Sequence, residues 1–356
     1  MSFKVKRIVL FLLLAVVLAA ATIGCKNSSD IVYRPLFFDE QVDVDVVKIS
    51  DSQFWGGVVK FCKVDNYLVA VTYQEDIKGV TWLHVFDTSG RKIADYVPYG
   101  RGPNELMAVW SMQEIGHVLK LYDKTLNKEI QVDFSASDKV PAISETSIPP
   151  RKWMMNLFFV GGNRLIYSVP GLSAKDERLP RLLLESPDGE ILSECFDSPF
   201  EHEDPIIRFR LDSMGAFQSL SPDAGKFAIA YSGAGVLELY SIGKSIKRES
   251  LNYFSPHDLK VLNGKVVQSG DRKRSFCSLY ASDKYVFASY DGSVYDRKDK
   301  RLLFKNIAVF DWKGRALKLL KTSYRIEAVC YSEEEHILYT VNIDESGDAF
   351  LGKLDL

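Results

Sequence analysis

The chain has 356 residues, and its acidic and basic side chains nearly balance, giving a net charge of −2. A nucleic-acid-binding surface needs an excess of Lys and Arg, so this balance argues against a nucleic-acid partner. The length suits one large repeat domain or two ordinary domains. No Pro-, Gly- or Ser-rich linker follows Asp30 in the sequence, which favours a single domain.

The N-terminus has the pattern of a secretory signal peptide. A basic segment, Lys4–Arg7, precedes an apolar run from Ile8 to Ala21. This run is shorter than the ~20 apolar residues of a spanning helix, so we interpret residues 1–24 as a cleaved signal. Its removal takes away three basic groups and no acid, which changes the net charge from −2 to −5.

The pair Gly24-Cys25 resembles a bacterial lipoprotein processing site, although Thr22 stands where such sites usually carry leucine. The resemblance implies that Cys25 is acylated and that residues 25–40 tether the protein to a membrane. Ordinary cleavage without lipidation is the alternative. We therefore expect an outer-membrane lipoprotein of the bacterial cell envelope, on either the periplasmic or the surface face.

An extended hairpin with a polar turn recurs along the chain. In the clearest copy, Leu83–Val97, the segment Asp87–Gly90 supplies turn residues between two β-branched and aromatic stretches. Most copies have a further apolar strand upstream, so each repeat contains three or four strands. We place six repeats at residues 51–98, 104–147, 151–200, 214–260, 272–322 and 325–356.

These repeats predict a six-bladed β-propeller over residues 41–356. No sustained helical stripe of apolar residues is visible after the signal, so an all-β closed or radial architecture is expected. The last repeat is one strand short. The alternating segment Gln41–Val47 precedes the first repeat, so we expect an N-terminal strand to close the ring by joining the last blade. A long β-sandwich is the rival fold.

Three short motifs carry a resemblance to a known family. Gly100–Glu105 resembles the G-x-G-P-G-E loop of the TolB-like six-bladed β-propeller lipoproteins of Bacteroidetes, with Asn104 in place of a glycine. Phe310–Gly314 resembles a late blade of that family, and Ser221–Phe227 resembles its S-P-D-G-K turn with Ala224 inserted. The resemblance implies a propeller fold and an envelope lipoprotein, and it implies no particular chemistry.

The sequence offers no recognised catalytic motif. None of the five histidines has the spacing of a metal site, and no nucleophile elbow, phosphate loop or dinucleotide fingerprint occurs. Four cysteines follow Cys25, each in an apolar, strand-like segment. Buried thiols or one disulfide are both compatible with their wide spacing.

Three polar segments are candidate binding sites at the rim of the propeller. Each is also compatible with a solvated loop, and the loop before Arg208 could alternatively bind calcium through its carboxylates. The basic segment could contact an acidic glycan. The candidate residues are Arg101, Asn104, Glu105, His202, Glu203, Asp204, Arg208, Arg272 and Arg274.

The sequence favours a monomeric binding module without catalysis and without a cofactor, apart from the calcium just mentioned. Its partner would be an envelope protein or glycan, because propellers gather their loops around a central channel. The alternative is a metal-dependent hydrolase or lyase with its site in that channel. Such an enzyme requires several Asp, Glu, His or Asn side chains that converge on the channel axis.

Overall fold

The chain folds into a six-bladed β-propeller, as the repeats predict. The computed structural model describes residues 31–50, 57–73, 80–135, 141–151, 153–169, 179–214, 216–268, 275–293 and 304–356. Six mainly antiparallel sheets form the blades. Their innermost strands lie around one axis, and the last of these packs against the first, which closes the ring.

The strands follow the order of the repeats. The N-terminal strands are β1 (Glu40–Asp43) and β2 (Val47–Lys48). From the centre outwards, the first three blades contain β3 (Gly57–Val64), β4 (Tyr67–Tyr73), β5 (Thr81–Asp87) and β6 (Lys92–Pro98); β7 (Ser111–Ile115), β8 (Val118–Asp123), β9 (Lys128–Asp133) and β10 (Ala142–Ser147); and β11 (Met154–Val160), β12 (Asn163–Ser168), β13 (Leu182–Glu185) and β14 (Ile191–Cys195).

The other three blades complete the ring. Two further strands, which form a separate hairpin between the fourth and fifth blades, are β19 (Leu259–Leu262) and β20 (Lys265–Gln268). From the centre outwards, these blades contain β15 (Ala216–Leu220), β16 (Lys226–Tyr231), β17 (Gly235–Ile242) and β18 (Ile246–Ser255); β21 (Phe276–Ala281), β22 (Tyr285–Tyr290), β23 (Asn306–Asp311), β24 (Ala316–Lys321) and β1; and β25 (Arg325–Ser332), β26 (Ile337–Ile343), β27 (Ala349–Asp355) and β2.

The position of a strand within its blade explains its sequence pattern. The strand β5, which lies third from the centre within the first blade, is buried from Trp82 to Phe86. Both of its faces pack against neighbouring blades. The outer strand β6 instead alternates between half-buried and exposed residues. In the first blade, an apolar run therefore marks an inner strand and an alternating segment marks the outer edge.

The N-terminal strands close the ring in two places. As expected, one of them joins the last blade: β2 pairs antiparallel with β27, with Val47 opposite Lys353. The segment Gln41–Val47 is not one strand, however. Its first residues form β1, which pairs parallel with β24 of the fifth blade. Val44 and Val46, between the two strands, pack against the core shared by these blades, so the segment bridges both.

The connections divide between two ends of the ring, because successive strands of each blade run in opposite directions. The connections within the first and the second hairpin of a blade lie at one end, which we call the turn face. The connections between the second and third strands, and from each blade to the next, lie at the other end, which we call the loop face. The longest connections lie on the loop face.

A repeated Asp-containing turn joins the third and fourth strands on the turn face. In the first blade, Asp87 Oδ1 accepts hydrogen bonds from the backbone N–H of Ser89 at 3.1 Å and of Arg91 at 3.0 Å. Asp311 makes the same contacts in the fifth blade. Gly90 has a φ of +84° and approaches Ile49 so closely that a Cβ would clash with the Ile49 carbonyl oxygen.

Within the described parts of the chain, one helix departs from the all-β expectation. It is α1 (Pro205–Met214), in the connection from the third blade to the fourth. Among the side chains of this helix that the structure describes, Ile207 and Leu211 are the buried apolar ones, so its apolar stripe is too short to be visible in the sequence. Among the described residues, no helix has the length and apolarity needed to cross a membrane.

The four cysteines of the propeller are unpaired. Cys62 and Cys330 are buried, while Cys195 and Cys277 are half-buried. Burial raises the pKa of Cys277 to about 12 and that of Cys62 above its ordinary value, so these thiols stay protonated at neutral pH. The sequence left open whether these cysteines are buried thiols or include one disulfide, and in the structure all four are free thiols.

Candidate functional site

Two connections on the loop face carry secondary structure of their own. The connection from the third blade to the fourth contains α1, and the connection from the fourth blade to the fifth contains the hairpin β19–β20. The two lie side by side, since α1 contacts β19 and both pack against the same apolar cluster. Residues 196–214 and 256–268 are the candidate loop-face site.

The predicted acidic loop, Glu201–Asp204, leads directly into α1, which begins at Pro205 and which the sequence did not indicate. Asp204 Oδ1 accepts a hydrogen bond from the Ile206 N–H at 2.9 Å, which caps the helix N-terminus. Pro205 is the first helical residue, where its missing N–H costs nothing. Asp204 is therefore the N-cap of α1, a structural role that was not recognised from the sequence.

Glu203 joins two histidines from the two connections. Its Oε1 atom lies 3.0 Å from His202 Nε2 and 2.9 Å from His257 Nε2. The Leu259 N–H donates to His257 Nδ1 at 3.1 Å, so Nε2 of that ring carries a proton and donates to Glu203. The structure thus brings the predicted His202 and Glu203 together, and it adds His257 from a segment far along the sequence.

The calcium alternative finds little support in this geometry. The Asp204 side chain caps the helix, and Glu203 is bonded to imidazoles. Glu201 Oε1 lies 3.4 Å from the backbone nitrogen of Ser198. The part of the chain that the structure describes contains no group of three or more metal-ligating side chains. The carboxylates of this loop therefore do not converge as calcium ligands must.

A buried ionic cluster connects α1 to the third and fourth blades. Arg181, which is 1% exposed, bonds to Glu238 Oε1 at 2.5 Å, and its Nε lies 3.5 Å from Asp212 Oδ1 at the end of α1. The hydroxyls of Tyr231 and Tyr240 donate to Glu238 at 2.8 and 2.7 Å. Burial raises the pKa of Asp212 to about 6, against the attraction of Arg181. This cluster fixes the helix between the third and fourth blades.

The predicted arginines do not form one site with this cluster. Arg208 lies on α1 and is half-buried. Its charge favours the ionised form of Asp212, which lies one turn further along the helix. Arg272 and Arg274 lie outside the described residues. Their proposed contact with an acidic glycan remains a prediction.

The second candidate is the central channel, which is narrow because polar side chains link its walls. Bonds of this kind connect the innermost strands of neighbouring blades: Ser111 to Leu157, Gln113 to Phe159, Asn156 to Gln218, Ser219 to Ala281, Cys277 to Ile326, and Glu327 to Val58. The remaining cavity is about 60 Å³. At roughly 10–15 Å³ for each, it has room for a few water molecules.

Glu114 is the acidic side chain among the described residues that line this cavity. Its Oε1 accepts a hydrogen bond at 3.0 Å from Tyr280 of the fifth blade, across the ring from the second. Its Oε2 is buried and has no hydrogen-bond partner among the described residues. Burial raises the pKa of Glu114 to about 7, although the Tyr280 hydroxyl and the Cys62 thiol favour its ionised form. Glu114 can therefore gain or lose a proton near neutral pH.

Lys60 is a basic side chain of the same lining. Burial lowers its pKa to about 8. Glu114 and Lys60 are thus the titratable carboxyl and amine of the described lining, and neither was singled out from the sequence. Channel residues come from strands that are distant in sequence, so no local motif could have indicated them.

The sequence and the fold of this propeller resemble those of known proteins. A family model described as TolB-like 6-blade propeller-like matches residues 41–334. The chain belongs to the TolB-like six-bladed propeller family. No curated protein matches the sequence. The family assignment agrees with the six blades and with the motifs from which the resemblance was inferred.

Two solved structures resemble this TolB-like propeller. One is a protein of Bacteroides fragilis described as exported, which shares 12% identity with a TM-score of 0.55 and is matched over 90% of this chain and 98% of its own. The other is a duf4221 family member from Bacteroides vulgatus, with 11% identity, a TM-score of 0.54 and coverage of 88% and 96%. At such low identity, both show similarity of fold.

The glycine-rich loop of this TolB-like propeller is held by its own acidic residue. Glu105 Oε2 accepts the Gly102 N–H at 2.7 Å, and side chains at Gly100 or Gly102 would meet this carboxylate. Asn104 has a φ of +57°, which explains why glycine also suits this position. Glu105 thus shapes the connection between the first and second blades, whereas Arg101 is exposed.

This loop is also bonded to the second blade. Lys128 Nζ donates to the carbonyl oxygens of Gly102 at 2.9 Å and Glu105 at 3.1 Å, and it lies 3.1 Å from Glu145 Oε2. The Asn104 N–H donates to the same Glu145 oxygen at 2.7 Å. These bonds give the loop a bracing role between blades, and they leave Arg101 as its exposed charge.

Proposed function

We propose that the protein is an exported, lipid-anchored propeller that binds an envelope protein or glycan through its loop face and does not catalyse a reaction. The observation that carries the proposal is the contrast between the two ends of the structure. The channel is bridged by side-chain bonds and leaves about 60 Å³, whereas the loop face presents α1 and a projecting hairpin.

The hairpin has the features of a contact element. Its tip, Leu262–Lys265, is exposed, and the Leu262 side chain is 58% exposed. The base of the hairpin packs against the cluster beneath α1, which limits its movement. A rigid element with an apolar tip and a polar surround suits recognition of a partner surface.

The alternative, a metal-dependent hydrolase or lyase, is supported less well. Such an enzyme requires several carboxylate, imidazole or amide groups at one point of the channel. The described lining of the channel cavity supplies one carboxyl, Glu114, and one amine, Lys60, while Gln113, Gln218 and Glu327 are used in links between blades. This arrangement favours binding over metal catalysis.

Anchoring is tested by cell fractionation. Cys25→Ser should move the protein from the membrane fraction to the soluble fraction, because the acyl chains would be lost. Cys195→Ser, in the body of the propeller, is the matched control and should leave the protein with the membrane. Membrane retention of the Cys25 variant would contradict the proposed anchor.

Binding is tested by capture from solubilised envelope onto the immobilised propeller, residues 26–356. A variant with Leu262→Asp and Arg210→Glu alters two exposed positions of the loop-face site and should capture less material. A Glu334→Lys variant, on the turn face, is the control and should capture as much as the wild type. Equal capture by all three proteins would contradict binding at the loop face. Protease treatment of the captured material distinguishes a protein from a glycan.

A further inference from the structure

An apolar cavity of about 270 Å³ opens on the turn face, between the fifth and sixth blades. Phe287, Val309, Leu320 and Tyr331 line it, and Leu356 lies at its edge. It is larger than the free space in the channel and lies at the opposite end of the ring from the loop-face site. The cavity arises from a difference between equivalent residues of the fifth and sixth blades.

Strand register makes Leu356 the counterpart of Trp312. In the fifth blade, Asp311 pairs with Tyr285, the first residue of the second strand, and Trp312 follows. In the sixth blade, Asp355 pairs with Ile337, again the first residue of the second strand, and Leu356 follows. A large aromatic residue of one blade is thus replaced by a smaller aliphatic residue in the next.

Trp312 and the turn after it fill the gap between the fourth and fifth blades. The Trp312 indole N–H donates to the Ser282 carbonyl oxygen at 3.1 Å, and Lys226 Nζ lies 5.5 Å from the ring centroid. Gly314, two residues later, lies against Ser250 and Asn252 of the outer strand of the fourth blade. The turn therefore covers that strand at the turn face.

The equivalent surface of the fifth blade lines the cavity. Leu239 pairs with Ser250 in the fourth blade as Val309 pairs with Lys318 in the fifth. By the same register, Leu320 of the fifth blade takes the place of Asn252 of the fourth, because their partners occupy equivalent positions. Both Lys318 and Leu320 line the cavity. Among the described residues, no turn covers them.

The polar groups around the cavity already have partners. Lys284 lies 3.2 Å from Glu333, and Lys318 lies 3.0 Å from Glu40. The Tyr331 hydroxyl lies 3.2 Å from His336 Nδ1. The cationic rim is therefore neutralised, and the walls offer aliphatic and aromatic contact. Both described lysines of the rim are already paired, so an anionic ligand would lose hydration here with little electrostatic gain, whereas a flat aromatic group would bury apolar surface.

We propose that this turn-face pocket binds an aromatic side chain, presented on a tight turn by a partner polypeptide, in the way that Trp312 fills the gap one blade earlier. Charge complementarity supports this occupant, because the rim pairs are neutral and the counterpart residue is an uncharged indole. The proposal is independent of the function proposed for the loop face, since the two sites lie at opposite ends of the ring.

The test uses a synthetic peptide that copies residues 310–316, with 5-fluorotryptophan at the position of Trp312. Fluorine NMR should show broadening or a shift of the peptide signal on addition of the wild-type propeller. The same peptide with alanine in place of Trp312 should not compete with it. Absence of binding to the wild type, or equal competition by the alanine peptide, would overturn the proposal.

Leu356→Trp is the decisive variant, because it supplies the missing indole from the chain itself. It should raise Tm by a few degrees and weaken peptide binding at least tenfold. Leu192→Trp, at an exposed leucine on the outer strand β14 of the third blade, is the matched control and should leave both Tm and binding unchanged. Unchanged peptide binding to the Leu356 variant would overturn the assignment of the site.

Discussion

Glu114→Gln tests whether a buried carboxyl in the channel makes stability depend on pH. Burial raises the pKa of Glu114 from 4.5 to about 7 in the folded protein. Because the folded pKa lies above the unfolded value, Glu114 costs nothing below pH 4.5 and destabilises the fold increasingly as pH rises towards 7. Above pH 7, the full cost is about 3 kcal/mol, at roughly 1.4 kcal/mol for each pKa unit.

The glutamine side chain introduced by Glu114→Gln cannot ionise, and its amide oxygen can still accept the Tyr280 hydroxyl. The free energy of unfolding of the variant should therefore exceed that of the wild type increasingly as pH rises. Between pH 5 and pH 8 we expect the difference to grow by about 2.5 kcal/mol, as the linkage relation gives for these two pKa values.

The assay is urea unfolding followed by tryptophan fluorescence and circular dichroism at pH 5, 6, 7 and 8. Coincident transitions from the two probes justify a two-state treatment. Glu334→Gln, at an exposed position on the turn face, is the control and should show no pH-dependent difference. A difference for Glu114→Gln that stays constant from pH 5 to pH 8 would refute the reasoning.

Five further substitutions form three tests of the fold around the site, each measured by urea unfolding. Gly90→Ala should cost about 1–3 kcal/mol more than Gly264→Ala, because both residues have positive φ but only at Gly90 would a Cβ clash with a neighbouring backbone carbonyl. Arg181→Met should cost about 3–5 kcal/mol by leaving Glu238 buried without its main partner, and adding Glu238→Leu should recover part of the loss. Asp204→Ala should cost about 1 kcal/mol through loss of the helix cap.

Each of these expectations has a clear contrary result. Equal losses for the two glycine variants would mean that the close approach at Gly90 relaxes without cost. A double variant less stable than Arg181→Met would mean that Glu238 has sufficient partners without the arginine. An Asp204 variant as stable as the wild type would show that the cap of α1 is replaced by water or by another side chain.

The propeller itself could be predicted from the sequence because its signals are local. The extended hairpin recurs along the chain, and its turn chemistry, as in Asp87–Gly90 and Asp311–Gly314, is visible without knowledge of distant contacts. The sixth blade lacked a strand in the sequence, and β2 supplies it. The division of Gln41–Val47 into β1 and β2 was not visible, because the alternating pattern continues across the point where the chain passes between two sheets.

The features that were missed depend on distant contacts. The Arg181 cluster joins residues from the third and fourth blades, and Glu203 meets His257 through two separate connections. The pKa of Glu114 is raised by burial, which requires the innermost strands of several blades to enclose the side chain. The glycine-rich loop shows the opposite case: its residues were identified, but the folding of Glu105 over its own glycines is visible only in three dimensions.

The central claim, that the loop face recognises an envelope component, is tested most directly by hydrogen–deuterium exchange of the propeller with and without the captured partner. When the partner is bound, protection from exchange should increase in residues 196–214 and 256–268, which contain α1 and the hairpin. Increased protection confined to the channel strands β7 and β21, with none at the loop face, would contradict it and would direct attention to Glu114.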